Sequence, residues 1–358
     1  MPRFDLKGRT KRIQQHHLGA PKCSLAHENA SFLWSERSAA LRVRTFDNAW
    51  VDAEGRISIS SQRGPACHVH TTGGCYKHIY RAWTPPGVNI TRLHNVVSLA
   101  THWGEGHYHF VVEALVGLAA IAAADQEAAS CLRPSAGSKQ CSIHVTQRSA
   151  FVFQWLRVVD GAFSRRQLAD GHIFAKRLWV PELGVCKHIR RIHAEWLRQR
   201  VRASLMTAQS RTATIVTNHL VLVRRSTFGH DTTALGEWRL SDTFQRDLLA
   251  NCKSHADAHS LLLRVHDDRA LPPLFQQLRL FAAARIVVGL TGAGLTNLLA
   301  TPQGSCVVEL VGPKSFGRGV DNTYAALAGQ LGLVHTRVHL RPSWSVDRDA
   351  LTLALARC

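Results

Sequence analysis

The chain has 358 residues, 45% of them hydrophobic and 19% charged, a balance that fits one large or two ordinary globular domains and excludes a disordered chain. Its net charge of +19 and pI of about 10.3 admit nucleic acid, an anionic membrane surface or an anionic substrate as partners. Only nine of the 44 basic residues are lysine, and the arginines are scattered apart from residues 2–12 and pairs such as Arg165-Arg166, Arg190-Arg191 and Arg224-Arg225. Such an Ala- and Arg-rich chain reflects gene base composition more than a charged binding face. No nucleic-acid recognition motif is present and the basic residues do not interleave with aromatics, so nucleic acid is not an expected partner.

Residues 1–30 read as a basic, weakly structured lead-in without the apolar core of a signal sequence. From 32 to about 100, short strand-like runs alternate with turn-rich stretches at 60–65 and 84–87. Residues 108–124 read as a helix that is apolar on most sides. The apolar window within it is too short to span a membrane and holds Glu113; no other run approaches ~20 apolar residues, so no membrane anchor is visible in this chain. A Pro/Gly/Ser loop at 130–140 follows. Strands and helices then alternate up to Val180-Pro181-Glu182-Leu183, and a strongly basic helix covers 188–207. Residues 208–212 mark the expected boundary between a first domain, 31–207, and a second, 213–345.

The second half is more regular. Strands are expected at 219–223, 261–266, 286–290, 306–311 and 334–339, and helices at 242–251, 273–284 and 323–331. The helix at 273–284 starts on a proline, where the missing N–H costs nothing. A helix-like tail occupies 346–358. Strands separated by helices indicate βαβ units and a parallel sheet. The expected fold is α/β, with two Rossmann-like domains facing each other across a cleft and no internal repeat.

Nine cysteines make an odd count. Cys67/Cys75 and Cys131/Cys141 are close pairs in loop-like sequence, suited to small disulfides in an oxidising lumen. The sequons Asn29-Ala30-Ser31 and Asn89-Ile90-Thr91 agree with that compartment, and the expected location is the lumen of the Golgi or endoplasmic reticulum.

The segment 282–310 carries the most chemistry. An apolar strand stops at Gly292-Ala293-Gly294, a short helix-like segment with Leu295 and Thr296 follows, and the next apolar strand carries Glu309. In an open α/β sheet such a turn lets backbone N–H groups approach a diphosphate beyond the strand ends. Arg224 and Arg225 close another strand, with Arg239 after a polar loop; guanidinium groups stay charged and bind phosphate bidentately. They would serve equally as a solvated surface pair. In the helix after Gly106, His109 and Glu113 stand at i and i+4 on one face, where a carboxylate orients an imidazole for general-base work. The alternative is a His–Glu pair satisfying itself at a helix start. His102, His107 and His109, and Cys67, His68, His70, Cys75 and His78, lack the paired spacing of structural zinc sites, and no metal is expected. Asp347-Arg348-Asp349 has the form of a D-x-D motif but reads as a charged helix start.

Together these pieces resemble glycosyltransferase family 61, which includes the extracellular O-linked N-acetylglucosamine transferase, the O-mannose-linked N-acetylglucosaminyltransferase and plant xylan xylosyl- and arabinosyltransferases. Gly106 to Glu113 is similar to the family's N-Y-x-H-[WF]-x-x-[ED] helix start, with Gly106 where Asn is usual. Val223-Arg224-Arg225 and Arg239-Leu240-Ser241-Asp242 are similar to its S-R-R and R-x-x-N, with Asp242 for Asn. Gln277 to Leu310 follows its H-G-A-G-L-T-N block, with Thr291 in place of His. The resemblance covers about 100–345 and is most specific over 275–312.

The resemblance implies a GT-B architecture, inversion at the anomeric carbon and a UDP-sugar donor, without a D-x-D metal or another cofactor. On that reading Arg224, Arg225 and Arg239 hold phosphates, and the stretch Gly292, Ala293, Gly294, Leu295 and Thr296 supplies backbone and hydroxyl donors. Glu309, at a strand end, binds ribose or uracil. His109 or Glu113 faces a hydroxyl of a glycan or glycoprotein acceptor. The rival readings are an inactive relative that binds a glycan or nucleotide, to which Thr291 and Gly106 point, and a basic nucleic-acid-binding protein.

Overall fold

A computed structural model describes residues 42–59, 67–70, 89–101, 103–133, 141–184, 188–208, 216–225, 242–312, 322–341, 343 and 345–358. The lead-in, Asn29, Cys75, His78, His102, Arg239 and most of the expected boundary at 208–212 lie outside the described residues.

The first sheet has seven strands: β1 (Val43–Val51), β2 (Arg56–Ile59), β3 (Cys67–His70), β4 (Ile90–Ser98), β5 (Ser142–His144), β6 (Leu168–Ala169) and β7 (His172–Pro181). Their order is β3-β2-β1-β7-β4-β5-β6. From β7 to β6 every pairing is parallel, whereas β1, β2 and β3 add an antiparallel edge. This half therefore departs from a purely parallel Rossmann sheet. The reason is local: only a short turn joins β1 to β2, too short for a parallel crossover. The Asp52 carboxylate closes that turn by accepting from the N–H groups of Glu54 and Arg56 at 3.0 and 2.8 Å.

The expected helix after Gly106 is broken in two. Residues His109–Ala114 form a π-helical turn, Leu115 N–H donating to the Phe110 carbonyl at 2.7 Å, and α1 (Gly117–Ala124) continues after it. Gly117 sits where α1 crosses the sheet; a β-carbon there would lie 2.8 Å from Pro181 Cγ. Next come α2 (Gln126–Leu132), α3 (Ala150–Val159) and α4 (Arg191–Ala208). The expected disulfide between Cys131 and Cys141 is formed and ties the end of α2 to the residue before β5.

The second sheet is parallel throughout: β8 (His219–Arg224), β9 (Leu262–Asp267), β10 (Ala284–Leu290), β11 (Cys306–Val311) and β12 (Val334–His339), in the order β12-β11-β10-β8-β9. Its helices are α5 (Asp242–Ala258), α6 (Leu274–Ala282), α7 (Thr323–Gln330) and α8 (Arg348–Ala356). Helix α5 outruns its expected end near residue 251 because its apolar stripe continues through Cys252 and Ala256 into the core.

Strand residues alternate between two cores. Leu220, Leu222, Ile286, Val288, Cys306 and Val308 face α5 and α8, whereas Val221, Val223, Val287 and Val307 face α6 and α7. Burial on both faces explains why these strands read as unbroken apolar runs. The second of these cores is continuous with that of the first half, and α3 and α4 pack on α6 across it. A second disulfide, Cys306–Cys358, fixes the residues after α8 to β11, and Cys252 is a buried free thiol. Asp347 caps α8, accepting from the N–H groups of Asp349 and Ala350 at 3.1 and 3.2 Å, as expected of a charged helix start. Among the described residues no single helix is long and apolar enough to cross a membrane.

Candidate functional site

The strand order fixes where a ligand can be met. The chain passes from β8 to β9 on one side and from there to β10 on the other, so β8 and β10 flank the point where the winding reverses. At such a point the loops after the two strands diverge and leave a crevice at their carboxyl ends. The loop after β8 begins with Arg225, and the loop after β10 is the Gly-rich turn.

Arg225 is exposed and donates from Nη1 to the Thr291 carbonyl at 3.1 Å. A β-carbon on Gly292 would lie 3.2 Å from that same Nη1, so the absent side chain lets the guanidinium lie along the turn. Gly294 is constrained differently: its β-carbon would meet Val223 Cγ1, within the core, at 2.9 Å. Residues Ala293–Ala300 then form a 3₁₀ helix whose opening N–H groups precede any intrahelical acceptor.

The two arginines divide. Arg224 donates from Nε to Gln245 Oε1 at 3.1 Å, and its Nη1 lies 3.6 Å from Asp267. Gln245 in turn donates to the Arg225 carbonyl at 3.0 Å. Arg269 above all holds the Asp267 carboxyl down to about 2, with Arg224 adding to it. Arg224 is thus bound into the β8–β9 strand ends, whereas Arg225 lies beside the turn. Arg239 lies outside the described residues.

Two expectations on the far side of the turn need correcting. Glu309 is the fourth residue of β11, not its end, and is fully buried. Its Oε1 accepts from the Thr291 hydroxyl at 2.8 Å, and its Oε2 faces His335 Nε2 at 3.0 Å and Arg337 Nε at 3.2 Å. This buried carboxylate anchors the turn from below. Leu295 and Thr296 are also fully buried, and the Thr296 hydroxyl has no partner among the described residues, so their side chains are not presented to solvent.

The first half contributes the segment around the π-helical turn. His109 Nδ1 lies 3.0 Å from Glu113 Oε2, with the imidazole partly exposed and the carboxylate fully buried. The π turn keeps this i, i+4 pair on one side while widening the backbone, a device common where a helix carries function. Gly184 permits close packing behind it; a β-carbon there would lie 2.6 Å from the Val112 carbonyl oxygen. Tyr108 packs edge-to-face on His109 and on Tyr324 of α7, at centroid distances of 5.5 and 5.4 Å.

His107 was missed as a site residue because its partners are distant in the chain. It accepts from Trp155 Nε1 at 2.9 Å. Burial lowers its pKa to about 4, the Ala293 carbonyl opposing the shift and His266 adding to it. His266 lies beneath the same turn with Gln277 and Asn297, its Nε2 3.1 Å from Gln277 Oε1 and 3.3 Å from Asn297 Nδ2. Gln277 and Asn297 belong to the block that carries the family resemblance, which was the signal for them. Among the described residues no group of three or more His, Cys, Asp or Glu side chains converges as metal ligands.

The second half thus holds an anion-suited crevice at a strand-order reversal, and the first half holds an imidazole–carboxylate pair on a π-helical turn. The sequence model of the family described as Glycosyltransferase 61 matches residues 107–308, more than half of the chain. That span holds the His109–Glu113 pair, Arg225 and the whole turn. No curated protein matches the chain.

Proposed function

Because the chain belongs to glycosyltransferase family 61 and is a glycosyltransferase, we propose that it transfers a sugar with inversion from a UDP-sugar to a hydroxyl of a glycan or glycoprotein. N-acetylglucosamine and a pentose are the donor sugars that the family resemblance favours. The observation that carries this reading is the crevice at the β8/β10 reversal, where Arg225 lies along the Gly292–Gly294 turn. In this reading the two sheets belong to a donor-side and an acceptor-side unit of GT-B type.

The diphosphate sits against the Arg225 guanidinium and the opening N–H groups of the 3₁₀ helix, with Arg224 behind it; Arg239 is a further phosphate ligand on the family resemblance. The acceptor hydroxyl faces His109, whose other ring nitrogen Glu113 holds. The base removes the hydroxyl proton as the oxygen attacks the anomeric carbon from the side opposite UDP. The bond from that carbon to the diphosphate oxygen breaks, and UDP leaves with the electron pair. Positive charge at the phosphates eases the departure, so no acid need protonate the leaving group. The two disulfides and the family fit a secretory-pathway lumen.

The test is a screen for UDP release with each common UDP-sugar over a panel of glycan acceptors. Release that needs both a particular sugar and an acceptor supports the reading. UDP binding with no turnover on any pair would favour a non-catalytic relative.

A further inference from the structure

We propose that Thr291 is a positioning residue for the donor: pinned by Glu309, its carbonyl holds the Arg225 guanidinium in the orientation that meets the diphosphate. This rests on the donor-site reading given above. Among the described residues the Thr291 carbonyl, accepting from Nη1 at 3.1 Å, is that guanidinium's only hydrogen-bond partner. A guanidinium carries five N–H donors, so one is spent on the carbonyl and four stay for phosphate oxygens. The direction of the carbonyl therefore sets the direction of the fork. Gly292, the next residue, has no side chain by which the turn could be held, so the last anchor falls on Thr291. Its N–H donates to the Leu310 carbonyl at 3.0 Å, carrying the β10–β11 pairing one residue past Leu290. Its hydroxyl donates to Glu309 Oε1 at 2.8 Å and lies 3.3 Å from the Leu310 carbonyl. With its amide plane and its Cβ both held, Thr291 has lost its rotation about N–Cα, and a β-branched residue resists leaving the extended conformation. The anchor is itself fixed: Glu309 is buried in the middle of β11, and its other oxygen faces His335 and Arg337. On the opposite side, Gln245 donates to the Arg225 carbonyl at 3.0 Å, so the backbone and the guanidinium of Arg225 are held separately. A carboxylate in the middle of β11 thus shapes a phosphate site that it does not touch.

The experiment titrates UDP into the full chain by calorimetry, at a temperature where thermal melts show each variant folded. Thr291→Val keeps the branched shape and the backbone bonds but loses the hydroxyl; Thr291→Ser keeps the hydroxyl. The expected result is about five- to tenfold weaker UDP binding for Thr291→Val and near wild-type binding for Thr291→Ser. In an Arg225→Ala background the valine substitution is expected to change UDP affinity less than about twofold, because the guanidinium it displaces is already gone. A folded Thr291→Val protein that binds UDP as tightly as wild type overturns the proposal. So does an equal loss with and without Arg225, which would place the effect in the turn itself. Should Thr291→Val not fold, Thr291→Cys leaves a weaker donor of similar size. Its UDP affinity is expected to fall about threefold, and an unchanged affinity overturns the proposal equally. A wild type that binds no UDP, or an Arg225→Ala variant that binds it as wild type does, would instead sink the donor-site reading, and the proposal with it.

Discussion

The Thr291 hydroxyl donates to a carboxylate oxygen of Glu309 at 2.8 Å, joining the Gly-rich turn to the middle of the neighbouring strand. Glu309 is fully buried, and both its oxygens are engaged, one by Thr291 and the other by His335 and Arg337. Removing a donor from a buried charge leaves part of its desolvation uncompensated. Thr291→Val is therefore expected to cost about 1–3 kcal/mol in denaturant unfolding, and Thr291→Ser much less. A valine variant as stable as wild type would show that His335 and Arg337 suffice.

Arg224 and Arg225 should separate by phenotype. Arg225→Ala is expected to weaken UDP binding by about 1.5–3 kcal/mol, the range for a charge-assisted hydrogen bond, with little change in melting temperature. Arg224→Ala, which removes one partner each from Gln245 and Asp267, should lower the melting temperature and affect UDP less. Calorimetry and thermal melts on the two single variants decide it; equal UDP affinity for Arg225→Ala and wild type would remove Arg225 from the donor site.

The two glycines of the turn differ as probes. At Gly292 a β-carbon meets only the far end of the Arg225 side chain, at 3.2 Å, which can move. Gly292→Ala should keep the fold and weaken UDP binding by displacing the guanidinium. At Gly294 the β-carbon meets Val223 at 2.9 Å, so Gly294→Val should destabilise the protein before any ligand is added. If both variants melt like wild type and bind UDP like wild type, the glycines serve only the turn.

Glu113→Gln is expected to lower kcat by about 10²–10⁴, the range of general-base effects, with little change in UDP affinity. His109→Ala should behave alike, and the double variant should be no worse than the poorer single, since the two side chains act as one unit. Glu113 is buried, so melts must accompany the kinetics. Wild-type turnover per folded molecule in a variant that melts much lower would make the pair structural.

Acid should weaken the fold through its histidines. Burial lowers the pKa of His107, His144 and His193 from 6.5 to about 4. Between those values the unfolded chain binds protons that the folded one does not, so stability is full above pH 6.5 and falls as the pH drops toward 4. Each group adds a slope of at most about 1.4 kcal/mol per pH unit. His193 is fully buried, and neither of its ring nitrogens has a partner among the described residues. His193→Leu should flatten the pH dependence of the unfolding midpoint across this window. A slope identical to wild type would refute the assignment.

The parallel sheet was legible because each strand is buried on both faces and reads as an apolar block; Cys306–Val311 coincides with its expected bounds. The His109–Glu113 spacing was legible as well, since residues four apart meet in any helical turn. The π turn itself was not, because one extra residue per turn leaves the local pattern almost unchanged. Equally hidden were the bonds from Trp155 to His107 and from Thr291 to Glu309. They depend on how α3 packs across the shared core and on the register of β10 with β11, which no short stretch of sequence encodes. The antiparallel edge read only as short strand-like runs, since pairing direction there follows from loop length.

The bond between Cys306 and Cys358 closes a ring with a sequence separation of 52, in which β11, α7, β12 and α8 all lie. By the chain-entropy estimate such a closure is worth about 4 kcal/mol, comparable to the whole stability of a small domain. Protein prepared in a reducing cytosol would carry this ring open, with the residues after α8 no longer tied to the strand that bears Glu309. Samples from reducing and oxidising hosts are then two different materials, and inactivity in the first would report on its production history, not on the chemistry of the crevice.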